Sequence, residues 1–502
     1  MTPTTIAALV PVAAWLAAAL LCLLLEAAGT PVGFRKRGPR THLPWIIALA
    51  GAIVVVRALA SWGVAAASAS SVSGLSFDRA GLLACALIAV VIVAAHFAAV
   101  PALRVLGEER GEMSAAFAVL GAALSLIAVA NDILVVTAGL VLAAVTLALL
   151  AAPDRDGPHG IEAAMKGVVG AGLVLVLLSL AIVYVTAGGA GSSPSTVAQP
   201  SLWQDTSFAA LGRALVSSPA LSSVALVLIV TALGLLIGAV PLHHVYVDVA
   251  HGSSSSSAGA LAAGSLIAGA CVIGRLVDGI STAGAQPDLS LTWSVLAVLT
   301  LAGAPIAALD QSRISRVAAY LVAVPGGVVL AAAAAAVADP SAALKAQQAG
   351  LSAMAAGALG VASVLLGIAV PRLPPSSTWE DWAGFGRRRP VLTAMLIYAL
   401  GTVAGVPGTL GFDARLDTSR AAFAAGLDVL GLVVVASAAL GAAPLVRLAV
   451  FLFAKDPPAR REPPPDPWGM MLVSAFAVLV VVLAALALWP AALEDIVRAA
   501  RR

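Results

Sequence analysis

In an otherwise apolar chain, polar and ionisable residues gather just beyond two prolines. In LGLLIGAVPLHHVYVDVAH (Leu233–His251), His243, His244 and Asp248 follow Pro241; in GTVAGVPGTLGFDAR (Gly401–Arg415), Asp413 and Arg415 follow Pro407. Proline removes a backbone donor and clashes with the preceding turn, and Gly405, Gly408 and Gly411 loosen what remains of the second stretch. Broken backbone is tolerated at membrane depth only where protein buries it or it lines a wet cavity. In transporters such interruptions mark an ion pathway. The chemistry these groups suit is holding and passing protons or ions. His243, His244 and Asp248 are expected to line a polar space, because facing hydrocarbon would be costly.

Other ionisable residues fall inside apolar runs: Arg57, His96, Asp132, Glu162, Lys166, Arg275, Asp428 and Arg447. A charge at a helix centre costs about 2.5–3.5 kcal/mol on insertion scales, so each is a functional candidate. For Arg57, Asp132 and Arg275 the simpler expectation is solvation near an interface. Glu162 and Lys166 are four apart in the favoured order, in IEAAMK. A local ion pair accounts for them, and a proton role is the alternative because a buried lysine can change protonation. Metal ligation by His243 and His244 would need further ligands at suitable spacing, and none stands out. No phosphate-cradling glycine loop, nucleophile elbow or CxxC pattern is present, which argues against catalysis or a redox site within this chain. Cys22, Cys85 and Cys271 have unrelated spacings and read as small core residues.

The elements that must position these groups are membrane helices. The 502 residues are 61% hydrophobic and 11% charged, with mean hydropathy +1.03, whereas soluble domains carry roughly 25% charge. The expected fold is therefore an all-α polytopic membrane protein. A net charge of +3 and the lack of a basic, aromatic-interleaved run argue against nucleic acid as a partner; the lipid bilayer is the expected one. Apolar runs start near Thr5, Pro44, Arg79, Met113, Asp132, Ile161, Ala220, Ala258, Leu289, Ser315, Leu344, Val391, Ala421 and Gly469, about fourteen helices of the ~20-residue length a bilayer needs. The first is read as a retained transmembrane helix. The run Ala421–Ala454 is long enough to tilt or to hide a break near Gly441. Gly188–Ser218 and Ala454–Trp468 read as linkers, and Ser253–Ser257 as flexible or lining a polar space. Basic residues concentrate in the odd-numbered connections, such as Arg35, Lys36, Arg37 and Arg40, then Arg387, Arg388 and Arg389, which places those inside and both termini outside.

Counting from the fourth run, the Pro241 break falls in the fourth member of a five-helix set, and the Pro407 break in the fourth member of the next. A five-helix unit leaves the membrane on the opposite side, so the second copy is expected to be inverted. The implied division is 1–110 as an N-terminal three-helix segment, 111–280 and 281–455 as the two repeats, and 456–502 as linker and last helix.

Several segments carry a family resemblance. GEMSAAFAVLGAALSLIAVAND (Gly111–Asp132), GIEAAMKG (Gly160–Gly167), IGAVPLHHVYVDVAHG (Ile237–Gly252), DQSRISRVAAY (Asp310–Tyr320), GFGRRRPVL (Gly384–Leu392), AGVPGTLGF (Ala404–Phe412) and LWPAALEDIVR (Leu488–Arg498) occur in order over nearly the whole chain. Together they resemble subunit N of the proton-pumping NADH-quinone oxidoreductases (complex I), within the wider Mrp-antiporter-like membrane subunits. The resemblance implies fourteen helices with two inverted five-helix repeats. It carries Lys166, Arg316 and Arg447 onto charged family positions and puts Arg415 where the family has lysine. The family's other charged positions fall on Val141, Leu236, Leu266 and Ser315, and a histidine on Pro325. Arginine stays protonated where lysine can titrate, so Arg415 keeps the charge without the titration.

What the resemblance implies is a non-catalytic membrane-arm subunit of a translocase, coupling quinone reduction elsewhere in the complex to proton movement. Lys166, His243, His244, Asp248, Asp413, Arg415 and Arg447 are then the pathway candidates. Quinone and NADH would be used by other subunits, with no cofactor bound by this chain. The alternatives are a non-pumping structural or assembly subunit of a complex I-like or hydrogenase-type complex, and a free-standing cation/proton antiporter. The location would be the inner (plasma) membrane.

Overall fold

A computed structural model describes residues 3–28, 42–65, 74–105, 111–151, 158–190, 206–217, 219–243, 247, 249, 253–280, 287–371, 373, 377–454 and 467–500. The helices are α1 (Pro3–Ala28), α2 (Leu43–Ala65), α3 (Arg79–Val105), α4 (Gly111–Val129), α5 (Ile133–Ala151), α6 (Pro158–Ala190), α7 (Phe208–Ser217), α8 (Pro219–Leu236), α9 (Ser255–Ile280) and α10 (Pro287–Leu309). They continue as α11 (Ile314–Ala338), α12 (Ala343–Ala369), α13 (Trp379–Trp382), α14 (Phe385–Arg388), α15 (Pro390–Ala404), α16 (Leu410–Ala424), α17 (Asp428–Ala454), α18 (Pro467–Leu488) and α19 (Pro490–Ala500). Outside helices, the described backbone pairs only in isolated bridges, Leu75 with Ala130 and Asp132 with Ser207.

Among the described residues, 12 helices are long and apolar enough to cross a bilayer, and the α18–α19 pair, bent by 88°, would make up to 13. The run expected from Val391 is split into α15 and α16, each of 15 residues and too short to span alone. Helices α11 and α12 form the centre, 94% of the residues in each apolar span being buried, whereas α6 is peripheral with 28%. The centre is built from small residues, Ala331 to Ala336 on α11 and Ala353, Ala355, Ala356 and Ala358 on α12. Without a hydrophobic drive between helices inside lipid, such residues let backbones approach closely enough for dispersion to hold them.

Three of the sequence expectations are corrected here. The stretch Gly188–Ser218 is not all linker: α6 runs to Ala190, and α7 is helical because Phe208, Leu211, Ala214 and Leu215 form a buried stripe packed on α9. The serine run is an ordered helix start. Ser254 Oγ accepts the Ser257 N–H at 3.2 Å, as an N-cap does, and meets the Ser256 and Ser257 hydroxyls at 2.7 and 2.9 Å. The run from Ala421 breaks at its beginning and not near Gly441: Gly426 adopts φ +74°, Leu427 N–H donates to Ala422 O at 2.9 Å, and α17 then runs unbroken through Gly441 and Pro444. The three cysteines are buried and not joined by disulfides, in keeping with small core residues.

A fourth correction concerns Arg275 and Asp132, expected at a wet interface but 6% and 1% exposed. Arg275 on α9 donates to Ala128 O and Ala130 O at the end of α4 and to Asp78 Oδ1 at 3.2 Å. Asp78 also caps α3, accepting the Gly81 N–H at 2.6 Å. One guanidinium therefore ties three helix ends together. Burial pushes the Asp78 carboxyl up, but Arg275, the Gly81 N–H and the Ser76 hydroxyl outweigh it and hold it below the usual carboxylate range. Asp132 accepts from the Leu134 N–H at 2.7 Å and the Thr206 hydroxyl at 2.8 Å, stitching the α4–α5 turn to the start of α7. Its burial wins over those bonds and its carboxyl is raised.

Asp78→Asn should strand the buried Arg275 cation. The expected loss of stability lies at the low end of the about 3–5 kcal/mol for breaking a buried pair, because 29% of the Asp78 side chain is exposed. The lowered carboxyl contributes above its unfolded value of about 3.9 and stops contributing as pH falls through the folded value. Thermal unfolding against pH should therefore show the gap between wild type and Asp78→Asn closing in acid.

Candidate functional site

Helix α15 starts with Pro390 at its first position, where no donor is needed, and ends at Gly405 with φ +77° and ψ +42°. The Gly405 N–H donates to Gly401 O at 2.7 Å and the Val406 N–H to Gly401 O at 2.8 Å, a left-handed cap that satisfies the last carbonyls. Pro407 prevents continuation, Gly408 takes φ +85°, and Thr409 in extended backbone opens α16. The Thr409 hydroxyl donates to Val406 O at 2.7 Å, closing the loop on itself. A Cβ on Gly411 would run into Thr402 O, so only glycine lets the first turn of α16 lie against the last turn of α15.

The Pro241 break repeats this construction. Gly238 has φ +71°, and the Ala239 N–H donates to Gly234 O at 2.8 Å, five residues back, as Val406 does to Gly401. The Val240 N–H goes to the Thr300 hydroxyl of α10 at 3.0 Å, and the Val240–Pro241 bond is cis. The break presses on α11, where a Cβ on Gly326 would meet Ile237 O at 3.0 Å.

Arg415 stands one turn inside α16, 1% exposed. Its Nε donates to the Ser437 hydroxyl of α17 at 3.1 Å and its Nη1 to Gly411 O at 3.2 Å, while Nη2 is buried without a partner. The guanidinium lies directly against Gly405, at the carbonyl end of α15, whose helix dipole supplies partial negative charge there. Neither Asp413 nor Asp417 pairs with it. Residues two apart point about 200° away from each other on a helix, so the two carboxylates share one face and Arg415 takes the opposite, interior one. Asp417 instead pairs with Arg420 at 3.2 Å, and Asp413 is half-buried.

The other candidates lie elsewhere. Lys166 pairs with Glu162 at 2.8 Å, both exposed on the outer face of α6. Arg447 is exposed on α17, with its guanidinium 5.2 Å from the centroid of the Trp379 ring. His243 is half-buried, its ring 5.4 Å from that of Tyr320 on α11; His244 and Asp248 lie outside the described residues. His96 is enclosed and meets the Ser114 hydroxyl at 2.9 Å. Between the breaks the contacts are apolar: a Cβ on Gly357 would meet Pro325 at 2.8 Å and Leu266 at 2.9 Å. Three partners escaped sequence reasoning: Asp78, Thr206 and Ser437. Asp78, in FDRAG ahead of an apolar run, bears an N-cap signature that could have found it. Ser437 is one hydroxyl in an apolar helix and bears no signal.

Residues 130–441 match the model of the family described as NADH:quinone oxidoreductase/Mrp antiporter, TM. Subunit N of the F(420)H(2) dehydrogenase of Methanosarcina mazei is 27% identical over 73% of this chain and 72% of that one. NADH-quinone oxidoreductase subunit N of Alkalilimnicola ehrlichii is 26% identical over 74% of each. A chain of respiratory complex I from Thermus thermophilus superposes with TM-score 0.74 at 19% identity, covering 97% of this chain and 98% of that one, a likeness of fold.

The geometry separates the two left-handed glycines. Gly408→Ala meets open space and should cost only the backbone strain of about 1–2 kcal/mol. Gly405→Ala adds a collision with the Arg415 guanidinium and should cost about 1–3 kcal/mol more. Comparing the thermal unfolding of the two variants checks this; equal losses would mean that Arg415 is not seated on Gly405.

Proposed function

Since this chain belongs to the NADH:quinone oxidoreductase/Mrp antiporter family, we propose that it is a subunit-N-like component of a membrane arm, coupling quinone reduction elsewhere in the assembly to proton movement. The observation that carries this reading is the pair of similarly capped helix breaks, each with a left-handed glycine followed within three residues by proline and seated against the central helices. Matching caps also support the division into two inverted five-helix units, 111–280 and 281–455. The partners are other membrane-arm subunits and the bilayer, in the inner (plasma) membrane with both termini outside. Quinone and NADH are handled by those partners.

A second reading, a subunit that assembles without relaying protons itself, is favoured by the interior between the breaks. Relay needs groups that load and unload, and moving one charge across 100 mV requires about 2.3 kcal/mol. Among the described residues, the contacts from Ile237 through Leu266 and Pro325 to Gly357 include no such group, and Arg415 is a permanent charge at their far end.

Purification of the tagged chain should bring down respiratory membrane-arm subunits; recovery of this chain alone, in assembly-preserving detergent, would sink both subunit readings in favour of a free-standing antiporter. Proton uptake into vesicles, normalised to assembled complex, then separates the first two. Arg415→Lys should leave assembly and uptake intact, because a fixed positive charge is kept. Arg415→Ala should reduce assembly. Loss of uptake in a normally assembled Arg415→Lys complex would show that arginine itself is required.

A further inference from the structure

We propose that Arg447, stacked over Trp379 near the end of α17, binds the phosphate of an anionic phospholipid. Helix α17 exposes a stripe at helical spacing: Leu432, Ala436, Leu440, Ala443, Arg447 and Val450. All are apolar but one, and that one is a cation. Arg447 stands about two turns, or roughly 10 Å, before the helix end at Ala454. Among the described residues it has no carboxylate and no hydrogen-bond acceptor; its guanidinium stands 5.2 Å from the centroid of the Trp379 ring. A guanidinium in hydrocarbon is costly, and a long side chain escapes by reaching along its helix toward the interface. Trp379 marks that level. Its backbone N–H donates to Ser312 O at 3.1 Å and its indole Nε1 to Gln311 O at 2.7 Å, both in the loop between α10 and α11. The ring is thus a fixed shelf, and cation–π attraction holds the guanidinium against it.

The surroundings choose the occupant. Trp379 meets Phe451 with ring centroids 5.5 Å apart, and a Cβ on Gly386 would meet the Phe453 ring at 2.8 Å, so α13 and α14 lie along the last turns of α17. Their connection carries Arg387, Arg388 and Arg389 against Glu380 and Asp381, and Asp381 is engaged in capping α13, accepting the Thr378 N–H at 2.9 Å. Asp310 and Arg313 in the neighbouring loop cancel, so with Arg447 the patch is positive. Aromatic rings and an excess of basic residues at span ends belong to the headgroup layer, where the abundant anion is lipid phosphate. A guanidinium can grip that phosphate with two parallel N–H bonds. Below Arg447 the apolar stripe from Ala443 to Leu432 is about 16 Å long, close to the ~15 Å of one leaflet's hydrocarbon, as an acyl chain hanging from the phosphate requires. That match favours a lipid over a carboxylate brought by another subunit. A headgroup that carries its own ammonium would be repelled by the arginines, so the lipid is a net anion. The site requires only that the chain spans a bilayer, not that its assembly moves protons.

The test uses the full-length chain in whatever assembly it purifies with. Native mass spectrometry follows the binding of added phosphatidylglycerol or phosphatidylcholine. Wild type should retain phosphatidylglycerol in preference, and Arg447→Gln should bind it about tenfold more weakly, the loss expected for a hydrogen bond to a charged group. Arg447→Lys keeps the charge without the fork and should fall between them. Inorganic phosphate at the same concentration should leave the lipid in place, which separates a lipid site from a site for free phosphate. In a second measurement a photoreactive side chain replaces Ala443 in otherwise wild-type protein, and irradiation in the membrane should add the mass of a phospholipid. Equal retention of the two lipids, equal binding by wild type and Arg447→Gln, or displacement by inorganic phosphate would overturn the site. Should Arg447→Gln fail to fold, the crosslink decides alone: a phospholipid adduct at position 443 supports the site, and a polypeptide adduct or none overturns it.

Discussion

Inside a bilayer every polar group has to find its partner within the protein, and two buried guanidinium groups show how this bundle meets that demand. Arg275 is compensated by a carboxylate and two helix-end carbonyls, and in return fixes α3, α4 and α9 relative to one another. Arg415 is compensated by a hydroxyl, one carbonyl and the negative end of a half-helix. The first includes a carboxylate and holds structure, although Nε of Arg275 is buried without a partner. The second has no carboxylate among its hydrogen-bond partners, and its Nη2 is likewise buried without a partner.

The helix breaks obey the same demand. A chain that stops being helical in hydrocarbon leaves carbonyls without donors. Both breaks answer with a left-handed glycine and a bond reaching back five residues, to Gly234 in one and Gly401 in the other. The backbone is then locally satisfied, and the turn can pack against apolar neighbours. The second break also needs glycine for contact: Gly411 for its close approach to Thr402, and Gly405 itself as the seat of Arg415. Glycine content here follows from contact as much as from conformation.

The contacts described between the two breaks are apolar. Leu266 and Pro325 are both within reach of Gly357, and charged groups such as Lys166 and Arg447 sit on the outside. A pathway made from this chain would need water rather than side chains to carry protons across that stretch. A fixed charge at its end would order that water and repel cations.

Much of this was legible in the residues alone. Composition excluded a soluble domain, and apolar runs located the helices because a bilayer sets their length. Proline with glycine located both breaks because those residues cannot continue a helix. The Glu162–Lys166 pair followed from helical spacing. What sequence could not supply was the partner of each charge, since partners are brought together from distant segments: Arg275 with Asp78, Arg415 with Ser437, Asp132 with Thr206. Nor is nearness in sequence a guide: Asp413 and Asp417 lie two residues from Arg415, and helical twist turns them to the opposite face. Local chemistry thus determined where the chain spans and where it breaks. Only the packing of α11, α12, α16 and α17 decided which buried charges are satisfied, because satisfaction is a property of the assembled interior and not of any one segment.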